Sequence, residues 1–335
     1  MNKHLIIELF NKQLNGVKMN IIRKLKLFIG ILILPLMISS NSYAFPDKGL
    51  TLIVAYGAGG GTDVTARLLA KDLENTIGHP VTVKNVTGGG GWNGWGTIAA
   101  SNPDGYTIGY INVPNMYKGY LDKSVGRSEN LDSFTLLMNH VTDYCVWAVR
   151  KDSPYQSVKD VIDADKKNPG TISITAHGNG NDDHLAILRM QDMTGAEFKV
   201  VMNKSTADSK TQVLGGFVDV LGANVSEVAA QVKSGEFRLL GVMSEKENKF
   251  LPGGKTFKQQ GYDQVWAVSR GIAAPAGLPA DVQKSLLAAL EKTLNSSAHA
   301  EALLSSSLAP EIVQGNEYKT LLKNTEQDIK KLMGW

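Results

Sequence analysis

Leu50-Thr51-Leu52-Ile53-Val54-Ala55-Tyr56-Gly57-Ala58-Gly59-Gly60-Gly61-Thr62-Asp63 is the segment from which the fold can be read. Leu52, Ile53 and Val54 make a short apolar run suited to a buried strand. Gly57, Gly59, Gly60 and Gly61 follow, and then Val64, Leu68, Leu69, Leu73 and Ile77 fall on one face of a helix. Arg67, Lys71, Asp72 and Glu74 take the opposite face, and Gly78 with Pro80 stops the helix. A strand, a glycine turn and a helix N-terminus leave backbone N–H groups converging on a place suited to an anion.

The pattern repeats. A strand is expected over 81–83, Thr87 leads into Gly88-Gly89-Gly90-Gly91, and 92–100 reads as a helix. Asn102-Pro103-Asp104-Gly105 makes a turn before a strand over 106–111. Two strand–glycine–helix units in succession predict an α/β chain with a doubly wound sheet. Further on, 134–149 is apolar and β-prone, and Ser157 with Asp160 makes a capping box for a helix over 158–167. Strands are expected over 171–175, 198–201, 218–221 and 237–243, with helices ending near Thr194 and over 207–214 and 225–233. After another β-prone run at 265–274, two helices close the chain, one carrying Val282, Leu286, Leu290 and Leu294, the other Leu321, Leu322, Thr325 and Ile329. The runs at 143–149 and 266–274 are candidate crossings between domains. They would make 148–267 one domain and 45–147 with 268–335 the other, with a ligand cleft between them.

The 335 residues are 43% hydrophobic, a globular composition long enough for one large or two medium domains. The formal charge of +3 comes from the N-terminus, where residues 1–44 carry six Lys or Arg against Glu8 alone. The remainder, with 29 basic and 31 acidic residues, gives no reason to expect nucleic acid. Arg23, Lys24 and Lys26, the apolar run 27–38 and Ser42-Tyr43-Ala44 follow the plan of a cleaved secretory signal peptide. Its apolar core of about 12 residues is short of the roughly 20 that a membrane span needs. Residues 1–18 add nothing to that plan, which makes Met19 an alternative start. The mature chain would begin near Phe45, in the periplasm of a Gram-negative source. One cysteine, Cys145, excludes an intramolecular disulfide and reads as a small buried hydrophobe.

Several chemistries can be weighed on the motifs. No Lys follows the first glycine turn, so it is not a phosphate loop. Gly89-x-Gly91-x-x-Gly94 has the dinucleotide spacing, but no acid stands at the end of the next strand. No G-x-S-x-G elbow surrounds Ser173, Ser205, Ser209 or Ser226, and the six histidines include no H-E-x-x-H pair. No catalytic residue, metal or cofactor is assigned on this reading. The alternative is a secreted α/β hydrolase or metal-dependent enzyme acting on a small acid. Each glycine turn also has a purely steric reading, in which glycine lets strand and helix pack closely. Two turns in tandem and a third at Gly178–His184 favour an anion site, since donors to a charged group contribute about 1.5–3 kcal/mol each.

Several motifs occur together in one family: Phe45-Pro46-Asp47-Lys48, the Tyr56–Asp63 turn, Gly94-Trp95 and Asn102-Pro103-Asp104-Gly105-Tyr106-Thr107. Asp152-Ser153-Pro154-Tyr155, Gly178-x-Gly180-x-x-x-His184, Gly215-Gly216-x-Val218-Asp219 and Ala274-Pro275-Ala276-Gly277 extend the match over the mature chain. The sequence resembles the Bug-type solute receptors of tripartite tricarboxylate transporters. That resemblance implies a two-domain Venus-flytrap of the type II periplasmic binding protein fold, each domain a mostly parallel sheet flanked by helices. It implies a small carboxylate (a di- or tricarboxylate, an amino acid or an aromatic acid) held in the cleft by backbone N–H groups and waters, then taken by a membrane permease.

Candidate contacts are Tyr56, Ala58, Gly59, Gly60, Thr62 and Asp63 in the first turn and Gly89, Gly90, Gly91, Trp92 and Asn93 in the second. Asn181, His184 and Asn224 come from the other half. Trp92 reads either as a ring lining the cleft or as a packing residue, and Asp63 first as an acid complementing its helix. His184 reads as a partner across the third turn or as a structural histidine. Asn181, Asp182, Asp183 and Ala223 depart from the family pattern. Asp182 and Asp183 are expected to face solvent at a helix N-terminus. In the cleft, either would repel a carboxylate by about 4 kcal/mol at 4 Å and an effective dielectric of 20, unless the ligand carries a cation.

Overall fold

The computed structural model describes residues 45–335; the signal-peptide reading of 1–44 lies outside the described residues. The opening segment forms β1 (Leu50–Val54), whose side chains are almost all buried, and helix α1 (Gly61–Ile77), which buries Leu69 and Leu73. Strand β2 (Val81–Asn85), a 3-10 turn over Gly89–Gly91 and helix α2 (Trp92–Ala99) repeat the unit, followed by β3 (Thr107–Val113). β2 and β3 flank β1 in parallel register. A short helix α3 (Tyr117–Leu121), absent from the sequence reading, is too brief to show helical periodicity.

Strand β4 (Phe134–Arg150) is 17 residues long and takes part in two pairings. Then come α4 (Val158–Lys167), which does carry the Ser157–Asp160 capping box, β5 (Ser173–Ala176), α5 (Asp182–Thr194) and β6 (Lys199–Met202). Helix α6 (Thr206–Leu214), β7 (Leu221–Asn224), α7 (Val225–Ser234) and β8 (Phe237–Val242) continue the alternation. β7 begins three residues later than its apolar run suggested, because Val220 makes only an isolated bridge to Ile174.

Strand β9 (Ala267–Pro275) pairs antiparallel with β3 and with β4 as far as Tyr144. Beyond that point β4 pairs instead with β7 and β8, so the change of partner falls between Tyr144 and Cys145. At the change, Cys145 N–H donates to Trp266 O (2.9 Å), and Trp266 N–H to Met243 O (2.8 Å). The chain ends in α8 (Ala280–Leu294), α9 (Ser297–Ser305), β10 (Pro310–Gln314) and α10 (Gly315–Met333). Three helices and an edge strand therefore stand where two helices were expected; the apolar positions of α9 are too few to register as a stripe. The main sheet is mixed, in the order β10-β4-β9-β3-β1-β2, so its parallel part is confined to β1–β3.

Buried side chains gather around Leu52, Val54, Leu69, Tyr110 and Leu290, with Ile53, Trp95, Ile111 and Tyr318 on the other face of that sheet. A separate set, Trp147, Val161, Ile174, Ile187, Phe198 and Phe257, surrounds β5 and the end of β4. Behind the first set, hydrogen bonds run from the Tyr110 hydroxyl to His140 (2.6 Å), His140 to His299 (2.9 Å) and His299 to Asp72 (2.6 Å). Burial and the neighbouring histidine hold His140 well below the usual histidine range, so it stays neutral at pH 7.

Candidate ligand-binding site

The strand ends of both halves meet at one place, the position where open α/β sheets bind ligands. The β1–α1 and β2–α2 glycine turns approach from one side. The β5–α5 turn (His177 to Asp182), the β6–α6 turn (Asn203 to Thr206) and Asn224 with Glu227 at the start of α7 approach from the other. Between them lies an outer chamber of ≈ 570 Å³ and, deeper, a small cavity of ≈ 50 Å³. Tyr56, Gly57, His177, Lys204 and Ser205 line both, so the two adjoin.

The candidate residues divide. Tyr56, Gly60, Thr62, Asn181 and Asn224 line the inner cavity, and Tyr56, Ala58, Gly90 and Gly91 the outer chamber. Gly59, Asp63, Gly89, Trp92, Asn93 and His184, also expected at the site, line neither. Asp63 turns back on its own helix, accepting from Gly59 N–H (2.9 Å), Arg67 (2.8 Å) and Asn85 (2.9 Å). These donors outweigh its burial and hold its carboxyl below the usual carboxylate range. The Gly89 carbonyl accepts from Trp92 N–H inside its turn. Asn93 donates to Thr87 O (3.1 Å), and His184 accepts from Gly180 N–H (3.0 Å) while burial lowers its imidazole to about 4. Trp92 is a packing residue, buried with its indole N–H on Met116 O (3.1 Å) and edge-on to Trp95 at 5.4 Å. Its replacement by Ala is expected to lower stability by about 3–5 kcal/mol in urea unfolding and to leave ligand preference unchanged.

The first turn has fewer free donors than its glycines promised. Gly59 N–H goes to Asp63, Gly60 N–H to Gly57 O (3.4 Å), and Gly61 N–H to Glu227 Oε1 (3.1 Å). A protein carboxylate thus occupies the N-terminus of α1. Among the described residues the N–H groups of Gly57, Ala58, Thr62, Gly88, Gly89 and Gly90 have no such partner.

The sequence reading missed the charges. Arg270, 1% exposed on β9, places its guanidinium so close to Gly61 that a Cβ there would lie 2.3 Å from Nη2. It pairs with Oδ2 of buried Asp143 (2.7 Å), an oxygen that also accepts from the Ser226 hydroxyl, while Oδ1 takes Ser226 N–H (3.2 Å). Burial raises the Asp143 carboxyl despite Arg270. The signal was available as a lone Arg in the β-prone run 265–274 and a lone Asp in 134–149. Asp182 and Asp183, expected in solvent, are both 3% exposed. The α5 N-terminus points into the interface, not outward, and that expectation is corrected. Asp182 accepts from Asn115 (3.1 Å), Asn224 (2.9 Å) and the Cys145 thiol (3.4 Å), and burial with the Asp183 charge pushes it up to about 6. Asp183 pairs with His177 at 2.7 Å.

Burial alone would lower His177, but the carboxylate of Asp183 prevails and raises it to about 9. A histidine raised in the folded state stabilises fully below its unfolded value near 6.5 and loses that contribution as pH rises through 9. The pair is therefore expected to contribute about 3 kcal/mol at pH 6 that is gone above pH 9.5. Unfolding of wild type and His177→Gln across that range checks it, since the variant should lack the decline.

A family profile described as the tripartite tricarboxylate transporter family receptor matches residues 65–334. The protein BugT of Bordetella pertussis is 26% identical over 302 residues, covering 87% of this chain and 89% of its own. Among solved structures, the periplasmic binding protein BugD is 28% identical with a TM-score of 0.77, covering 86% of this chain and 96% of that one. A Rhodopseudomonas palustris protein solved with adipate shares the fold at 23% identity and a TM-score of 0.79, covering 86% and 97%.

Proposed function

The chain belongs to the tripartite tricarboxylate transporter receptor family, and on that premise we propose that it captures a small organic carboxylate in this cleft and passes it to a membrane permease. It would do so in the periplasm, after removal of residues 1–44, by closing the lobe of 45–147 and 268–335 onto that of 148–267. The observation that carries the reading is the outer chamber, lined by Gly57, Ala58, Gly88 and Gly90, whose N–H groups have no partner among the described residues, and by His177 and Gly178 of the third turn. Two or three such donors at about 1.5–3 kcal/mol each hold a carboxylate and release it once the lobes part. A relative of the same fold solved with adipate is in line with a dicarboxylate-sized occupant.

The test is a thermal-shift screen of mono-, di- and tricarboxylates, amino acids and aromatic acids, with metal analysis alongside. An acid at 100 times its Kd adds about 2.7 kcal/mol of stability. No shift with any acid, together with bound metal and turnover, would return the enzyme alternative. Two variants probe the turns. Gly60 has an extended backbone (φ −78°) with room for a Cβ, so Gly60→Val is expected to abolish binding without loss of stability. Gly90 has φ +66°, so Gly90→Val is expected to abolish binding and to lose at least about 1–2 kcal/mol as well. Wild-type affinity in both would remove the turns from the site.

A further inference from the structure

The inner cavity is lined or closely bordered by four carboxylates, those of Asp143, Asp182, Asp183 and Glu227, and by two buried cations, Arg270 and His177. The cations are already committed, Arg270 to Asp143 and His177 to Asp183, each at 2.7 Å. Asp182 is left with neutral donors only, the amides of Asn115 and Asn224 and the Cys145 thiol. Glu227 receives Gly61 N–H, Asn224 N–H and the Thr206 hydroxyl (2.7 Å), and the charges of His177 and Arg270 outweigh its burial and hold its carboxyl below the usual range, so Asp182 is the less compensated of the two. Lys204 is exposed and lines both the chamber and the cavity. An independent observation points the same way. Asn112, 1% exposed and lining the same cavity, donates to Thr62 Oγ1 at 2.9 Å but leaves its Oδ1 without a partner. A buried acceptor without a donor is unfavourable, and so is a buried carboxylate without a cation. A second ligand carboxylate placed here would add charge of the wrong sign and more acceptors. A protonated amine supplies three donors and one positive charge.

We propose that the ligand is an amino carboxylate held at two ends, with its ammonium in the inner cavity between Asp182, Glu227 and Asn112 and its carboxylate on the glycine turns of the outer chamber. This rests on the carboxylate-receptor reading and narrows it to a ligand with separated charges of opposite sign. The inner cavity selects the amine, because a carboxylate there meets Asp182 and Glu227 directly. The outer turns favour the acid, because the N–H groups of Gly57, Ala58, Gly88 and Gly90 line the chamber without a partner among the described residues.

Calorimetric titration of the mature protein with matched pairs separates the two ideas. Succinate, glutarate and adipate are each compared with the compound in which one carboxylate becomes an aminomethyl group: 4-aminobutanoate, 5-aminopentanoate and 6-aminohexanoate. At the best-fitting length the amino acid is expected to bind at least tenfold tighter, about 1.4 kcal/mol. Asp182→Asn is expected to erase that ratio, mainly by weakening the amino acid. Dicarboxylates binding as tightly as their amino partners would overturn the cation subsite while leaving the receptor reading intact. An unchanged ratio in a folded Asp182→Asn variant would also overturn it. If neither series nor any acid of the wider screen binds, both readings fall. Should Asp182→Asn not fold, the wild-type ratio alone decides.

Discussion

Trp95→Ala is expected to lower the stability of the protein by about 3–5 kcal/mol and to abolish ligand binding in whatever protein remains folded. Trp95 is fully buried, and its indole N–H donates to Tyr110 O at 3.1 Å. Its ring is the floor of both N-terminal glycine turns. Tyr56 stands edge-on to it at 6.1 Å, and Gly91 lies so close that a Cβ there would come within 2.6 Å of the ring. Gly91 has φ +106°, a conformation that only glycine adopts readily, so turn and ring are matched to one another. Removing the ring leaves a large cavity beneath the turns and frees them to sink. Urea unfolding measures the first effect and titration the second. Trp95→Phe keeps most of the volume and should lose less than half as much. A loss below about 1 kcal/mol for the alanine variant would show that the turns are supported from elsewhere.

Arg270→Ala should be comparably damaging, at about 3–5 kcal/mol, because it strips a buried carboxylate of its cation. Asp143 is 4% exposed and would keep only Ser226 as a donor, with Glu227 nearby. Arg270→Lys is expected to recover little, since a single ammonium cannot span Asp143 and the Asn224 side chain as the guanidinium does. The deficit should shrink as pH falls. A carboxyl whose folded value is raised takes up its proton more readily when folded, so the variant with Asp143 protonated needs no cation beside it. A variant whose deficit stayed constant between pH 8 and pH 5 would mean that Asp143 is not the group left stranded. The same loss should open the inner cavity, because Arg270 lies against Gly61 and reaches toward Asn224.

The sequence by itself determined the local course of the chain. Alternation of apolar runs, glycines and amphipathic stripes placed β1, α1, β2, α2 and the Ser157–Asp160 cap, because backbone conformation and side-chain periodicity act over a few residues. It also placed the glycine turns that line the outer chamber. The weakly periodic pieces, α3, α9 and β10, escaped because tertiary packing rather than local preference stabilises short elements. The electrostatics of the inner cavity belonged wholly to the tertiary structure. Arg270 meets Asp143 across 127 positions, Glu227 reaches Gly61 across 166, and Asn115 meets Asp182 across 67. A charged side chain carries no local mark of its partner. Which carboxylate it neutralises depends on which strands lie side by side, and β4 and β9 become neighbours only when the sheet assembles.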